Sequence, residues 1–380
     1  MDTFRFYNPT RIHFGTGMIK NIGPEMSAAG VKKCLLVAGG GSIRANSVYS
    51  QVVESLKSSH IDWIEAWGVQ SNPTLAKVRE MIQVARREGV DAVLAVGGGS
   101  VIDSAKAVAA GFHLQDVWNA FTGAERIQQA LPVFTVLTIS ATGSEMNGNA
   151  VITNSEEKKK WSIGSTLLYP RATIIDPSVQ SSLPFKQTVN GALDATAHIL
   201  EYYFMDDNAI ATLAINSGLL HTITEMTDRL KGNASDLTAR GNLAWSATLA
   251  LNGISGAGLK GGDWGCHTIE HAFSALYPSI AHGEGLGVIF PAWIEYVSEK
   301  YPDRFTGWAR NVWGEDSVPY ALRRFREKIE SWGSSTSLRD LGIKEQDLAT
   351  LRDIILQSGT IGKIHQFGAA DIEALLMLAY

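Results

Sequence analysis

Between residues 91 and 112 the chain reads DAVLAV, then GGGS, then VIDSAKAVAAGF. An apolar run of six stops dead at three glycines, and residues with helical spacing follow. Few folds accept that order. A strand that is apolar throughout is buried on both faces, which points to a parallel sheet with crossover helices. The neighbouring segments agree. CLLVA (34–38) stops at a second Gly-Gly-Gly-Ser (39–42), SVYSQVVESLKSS (47–59) has helical spacing, and IDWIEAW (61–67) suits a strand. TLAKVREMIQVARREG (74–89) is amphipathic and ends on a glycine, the preferred helix stop. PVFTVLT (132–138) and ATIIDP (172–177) read as later strands.

After about residue 183 the texture changes. KQTVNGALDATAHILEYYF, AIATLAINSGLLHTITEMTDRLK and LTARGNLAWSATLALNGI all carry helical spacing, and strand-like runs nearly vanish. Pro184 in SSLPF marks the break. The expectation is an α/β dinucleotide-binding domain over 1–183 and an all-helical, metal-binding domain over 184–380. A length of 380 residues suits two domains. A net charge of −5 offers no attraction to nucleic acid or to an anionic membrane. No window is apolar enough for a membrane span, and MDTFRFYNPTRIHFG lacks a continuous apolar stretch, so no secretory signal is expected in it. Two cysteines, Cys34 and Cys266, imply no disulfide framework and suit the cytoplasm.

Glycines between a strand and a helix let a ligand approach the main chain, and the following helix offers unpaired N–H groups to phosphate. A tight turn without ligand is the alternative for the run 97–99. The spacing is not G-x-G-x-x-G, so an ordinary Rossmann fingerprint is not indicated. Asp103, one turn into the helix, is placed to meet a ribose hydroxyl or a carboxamide. At the first loop no Asp or Glu occurs between Leu35 and Gln51. With no carboxylate to repel it, a 2′-phosphate can be taken by the glycine N–H groups, Ser42 and Arg44, favouring NADP over NAD; an Arg44 that simply points to solvent is the alternative.

In LDATAHILE, Asp194 and His198 stand at i and i+4 and share a helix face. In WGCHTIEHAFSALYPSIAHGEG, His267 and His271 repeat that spacing and His282 follows. One carboxylate and two or three imidazoles suit divalent iron, zinc or manganese. Unrelated core or surface histidines are the plainer alternative.

PTRIHFGTG, VGGGSVIDSAKAVA, TISATGSEMNGNAVIT, NGALDATAH and the HTIEH…HGEG segment, in this order, resemble the iron-containing (group III, metal-dependent) alcohol dehydrogenase family. The nearer likeness is to its NADPH-dependent aldehyde reductase and butanol dehydrogenase branch. The resemblance implies a dehydroquinate synthase-like architecture with the site between the two domains. It implies that Asp194, His198, His267 and His282 bind the metal and that His271 lies near the nicotinamide as the catalytic proton carrier. Gly40, Gly41, Ser42, Gly98, Gly99, Ser100, Asp103, Thr138, Thr142 and Asn147 would line the cofactor. Lys160 would reach its ribose or phosphate, and Asn72 would sit at the adenine side. Apart from the resemblance, Trp264 stands three residues before His267 and so either borders the reaction site or packs in the core.

The family leaves nine residues between its last two histidines; here ten separate His271 from His282. His271 is the substitute ligand if the added residue near Tyr277 and Pro278 displaces His282. The implied reaction moves hydride between NADP(H) and a small to medium neutral alcohol or aldehyde, with the ion polarising the substrate oxygen. The implied assembly is a homodimer or larger. Two other readings are a dehydroquinate synthase-like lyase using the nicotinamide transiently and a non-catalytic nucleotide-binding relative. The lyase must grip a phosphorylated anion, yet 188–203 and 261–299 contain no Lys or Arg.

Overall fold

The computed structural model describes residues 1–380. Its N-terminal part carries a six-stranded, wholly parallel sheet. The strands are β1 (Arg11–Phe14), β2 (Lys33–Ala38), β3 (Asp62–Ala66), β4 (Ala92–Gly97), β5 (Val133–Leu137) and, after a hairpin, β8 (Ala172–Ile175), in the order β1-β8-β5-β4-β2-β3. The hairpin is antiparallel, with β6 (Asn149–Asn154) and β7 (Lys159–Gly164). Sequence patterning found β2, β3, β4, β5 and β8. It missed β1, which is short and half polar, and the hairpin, whose NAVITN and KKWSIG strands flank a charged turn.

The continuous apolar runs have a plain cause. Leu35, Val37, Val93 and Ala95 pack into one core beside the sheet, while Cys34, Leu36, Leu94 and Val96 pack into another on its opposite face. With both faces covered, neither alternate set can be polar. Crossover helices Val48–Ser58, Leu75–Glu88 and Gly99–Gly111 provide the cover. Gly89 ends the second of these in the left-handed region at φ 61°.

From Phe185 onward every regular element is helical, beginning with Phe185–Tyr203 directly after Pro184. These helices enclose a third core of 52 buried residues, including Trp293, Trp308 and Phe305. No helix is long and apolar enough to cross a membrane.

Chain order reverses direction between β2 and β4. From β2 the chain steps outward to β3, then returns to lay β4 on β2's other side and β5 beyond it. In open parallel sheets such a reversal leaves a crevice at the carboxyl ends of the strands. The Gly-rich loops after β2 and β4 and the loop after β5 border that crevice, and the helical domain closes its far side.

Candidate active site

The two glycine runs differ in their physical reasons. A Cβ at Gly98 would lie 2.1 Å from Ile139 Cγ2, and one at Gly99 would lie 2.4 Å from Thr142 Cγ2. The second run is therefore required by packing against the loop after β5. Gly40 and Gly41 have nothing within 4 Å of an added Cβ. Gly41 needs glycine for its φ of 109°, but Gly40 has neither a steric nor a backbone requirement. Gly40 is exposed and borders the crevice.

That crevice is a cavity of 670 Å³ bordered by Gly40, Gly41, Ser42, Gly98, Gly99 and Thr138, among others. An inner cavity of 420 Å³ adjoins it, and Asn72, Ser100, Thr142 and His282 border both. Asp103, Asn147, Lys160, Trp264 and His271 line the inner cavity.

Glycines also bring the metal-ligand candidates together. On the Phe185–Tyr203 helix, Asp194, His198 and Glu201 stand at i, i+4 and i+7, one face. The helix His282–Lys300 crosses it closely. A Cβ at Gly283 would fall 1.9 Å from Asn190 O, and one at Gly287 would fall 2.9 Å from Leu193 Cδ1. His282 thereby reaches Asp194, with its Nε2 3.7 Å from Asp194 Oδ1. His198 Nε2 lies 3.6 Å from the same oxygen. The His267 ring is 4.9 Å from that of His198 and 5.4 Å from that of His282. Asp194, His267 and His282 offer ligand atoms all within 4.8 Å of one another, with His198 alongside. The added loop residue is absorbed, helped by Asn72, whose Nδ2 donates to Pro278 O at 3.2 Å and Ile280 O at 3.3 Å.

Asp194 Oδ1 and His267 Nε2 are buried without hydrogen-bond partners. Burying a carboxylate oxygen and an imidazole nitrogen unpaired is costly. A divalent cation among them would satisfy both. Burial pushes His198 down to about 3, overriding the attraction of Asp194, so its imidazole is neutral, as a ligand requires. One carboxylate and three imidazoles fit iron(II) or zinc.

Two carboxylates that the sequence reading passed over stand behind this set. Glu201 accepts from His267 Nδ1 at 2.7 Å, from His267 N at 3.1 Å and from Trp264 N. This leaves His267 Nε2 facing Asp194, the usual role of a carboxylate behind a metal-binding imidazole. Its i+7 spacing from Asp194 was the available signal. Glu270 bonds His282 Nδ1. His271 lies one residue on, its ring 5.3 Å from that of His282. Burial, reinforced by the Lys160 ammonium, pushes His271 well below its ordinary value. Trp264, the residue before the His267 helix, has φ 60° and its ring is 5.2 Å from His267.

Several cofactor candidates also hold partners within the protein. Asp103 accepts from Ser144 Oγ at 2.6 Å and Val151 N at 3.0 Å. Asn147 Nδ2 donates to Gly143 O and Leu251 O, and its Oδ1 accepts from Lys106 and Asn149 N. Asn72 borders the outer cavity along with the first loop, and its side chain also clamps the loop before His282. The Lys160 ammonium points to Glu270 Oε2, 3.3 Å away. Lys106, also passed over, is fully buried and donates to Ser144 Oγ, Asn147 O and Asn149 O, each at 2.8 Å. Burial pushes it down to about 8 against the pull of Asp103 and Glu145.

The first loop does not stand clear of carboxylates. An acid arrives there from the adjacent strand: Glu65 of β3 pairs with Arg44 at 3.2 Å, and Arg44 stacks 4.1 Å over Trp67. Counting along the loop alone could not reveal a neighbour supplied by sheet order.

The chain matches known proteins along its whole length. A family model for iron-containing alcohol dehydrogenase matches residues 9–177, and one for the C-terminal part of that family matches 188–380. NADH-dependent butanol dehydrogenase A of Clostridium acetobutylicum is 35% identical, with 100% of each chain covered. NADPH-dependent aldehyde reductase YqhD of Escherichia coli is 31% identical, with 92% of each covered. The crystal structure of NADH-dependent butanol dehydrogenase A from Thermotoga maritima superposes with a TM-score of 0.98 at 48% identity, covering 100% of this chain and 99% of that one. The motif order, the sheet-and-helix architecture and these matches agree: the chain belongs to the iron-containing alcohol dehydrogenase family, an NAD(P)-dependent oxidoreductase acting on alcohols and aldehydes.

Proposed function

We propose that the protein interconverts a small to medium neutral alcohol and its aldehyde, with a nicotinamide dinucleotide along the glycine loops and a divalent ion held by Asp194, His198, His267 and His282. The convergence of these four side chains at the junction of the two cavities carries the reading. In the same proposal residues 1–183 hold the nucleotide and residues 184–380 the metal.

The metal, when bound, supplies a positive charge beside the substrate oxygen, which becomes more anionic as hydride moves. The chain's own residues do the rest. Gly98 caps a 13-residue helix that begins at Gly99 and Ser100, and the helix's free N–H groups suit the pyrophosphate. Gly40, Gly41 and Ser42 border the ribose end of the crevice. His271 stands neutral in the inner cavity, able to take the hydroxyl proton of an alcohol and pass it to solvent during oxidation, and to bring a proton from solvent to the product alcohol's oxygen during reduction. Val151, Ile163 and Leu251 supply apolar wall there. Lys160, the one cation lining this cavity, is paired with Glu270. No free cation remains for a substrate carboxylate or phosphate. This supports neutral substrates and disfavours the lyase.

The reading keeps NADP(H) as the preferred carrier. Glu65 is occupied by Tyr49, Trp67 and Arg44, so it is not free for ribose hydroxyls, while the Arg44 side chain stays 58% exposed. Butanol dehydrogenase relatives are named for NADH, so the assay compares the two carriers. Cytoplasmic residence is part of the proposal, supported by two unpaired buried cysteines. So is a homodimer or larger assembly, for which exposed Phe4, Phe6 and Phe14 offer apolar surface.

The test follows absorbance of the reduced nicotinamide with butanal, using NADPH and NADH, before and after chelation, with iron, zinc or manganese restored. Metal-restored turnover is expected. Full turnover after complete metal removal refutes the proposal.

A further inference from the structure

We propose that Glu270 is the positioning residue that aims His282 at the metal, and that Lys160 turns this contact into a strut across the cleft between the domains. The inference rests on the reading of Asp194, His198, His267 and His282 as the metal site.

Of the four, His282 has the weakest local support. It is the first residue of its helix and follows the lengthened loop. Its side chain is 22% exposed, against 4–8% for the other three. Glu270 makes up the difference. Its Oε2 bonds His282 Nδ1, which leaves Nε2 as the nitrogen facing Asp194. A carboxylate in this position fixes the tautomer and the ring orientation and makes the imidazole a better donor to a metal.

Glu270 is itself held rigidly. Its side chain is fully buried, and the Ser274 hydroxyl donates to Oε1. A Cβ at Gly285 would lie 2.8 Å from Glu270 Cγ, so the His282 helix passes flush over it. A carboxylate buried this deeply needs a counterion. Lys160 Nζ supplies one at 3.3 Å and also donates to Ser274 Oγ at 3.2 Å. Lys160 lies on β7 of the sheet domain, whereas Glu270 and His282 belong to the helical domain. One metal ligand is thus braced from the nucleotide side of the cleft.

Glu270, His271 and His282 also offer atoms within 4.8 Å of one another. The Lys160 ammonium already lies 3.3 Å from Glu270 Oε2 and 3.4 Å from His282 Nδ1, and it would repel a second cation held by those atoms. The positioning role fits and a second metal does not.

The test is Zn²⁺ affinity by chelator competition, together with the visible absorption of the Co²⁺-loaded protein, for the full chain and Glu270→Gln. Expected are one metal per chain in both, Zn²⁺ binding about 10- to 100-fold weaker in the variant, and altered Co²⁺ bands. Should the single variant fail to fold, Glu270→Gln combined with Lys160→Met removes both charges, and the same weakening is expected. A folded variant within twofold of wild-type affinity overturns the strut. So does a wild-type chain holding two ions of which the variant loses one, since Glu270 would then be a ligand. A wild-type chain that binds no metal refutes the underlying metal reading as well, and that result is seen before any variant is compared.

Discussion

Gly40→Ala separates what the fold needs from what a ligand needs. A methyl at this position meets no protein atom within 4 Å, and the backbone there lies outside the left-handed region. The unliganded protein should therefore keep or slightly gain stability, by about 0.4–1 kcal/mol, through the reduced freedom of the unfolded chain. Gly98→Ala is the contrast. Its methyl would fall 2.1 Å from Ile139 Cγ2, an overpacking that costs roughly 1–3 kcal/mol. For nucleotide the order reverses in its cause. Gly40 borders the cavity proposed for the dinucleotide, so the added methyl is expected to crowd a ligand lying against this loop. Displacing one hydrogen bond to a charged phosphate costs about 1.5–3 kcal/mol, a weakening of roughly 10- to 150-fold. The assay pairs thermal unfolding without nucleotide with fluorescence titration of NADPH and NADH. Unchanged nucleotide affinity in Gly40→Ala would show that the first loop does not touch the cofactor. A loss of more than about 2 kcal/mol in stability would contradict the open space on which the reasoning rests.

Other outcomes follow from the same geometry. Asp194→Ala removes the oxygen that His198 and His282 both face, and is expected to abolish metal binding and turnover together; a metal-free, fully active variant would refute the assignment. His271→Ala should slow turnover while metal content stays at wild-type level, whereas loss of metal would make His271 a ligand. Lys106 is lowered from 10.5 to about 8 in the folded chain. Between these values the unfolded chain holds more protons, so this group's contribution to stability rises with pH, by on the order of 3 kcal/mol across the window. Denaturant titrations from pH 7 to 10 should show a rise in wild type that Lys106→Met lacks; equal slopes would refute the coupling.

Much of this molecule was legible in the chain itself. Strands buried on both faces must be apolar at every position, so DAVLAV and CLLVA announced a covered parallel sheet. Asp194 with His198, and His267 with His271, announced shared helix faces because 3.6 residues make a turn. What stayed hidden depends on neighbours that chain distance does not reveal. Glu65 reaches Arg44 through sheet order, Lys160 meets Glu270 across 110 residues, and Asn72 holds a loop more than 200 residues away. Asp103 and Asn147 line the inner cavity and also hold partners within the protein, Ser144 and Val151 for the one and Gly143, Leu251, Lys106 and Asn149 for the other, pairings that chain distance does not announce. Local pattern determines which face a side chain shares. Only the packing of one helix upon another, through glycines 283 and 287, decided that those faces would meet around one point.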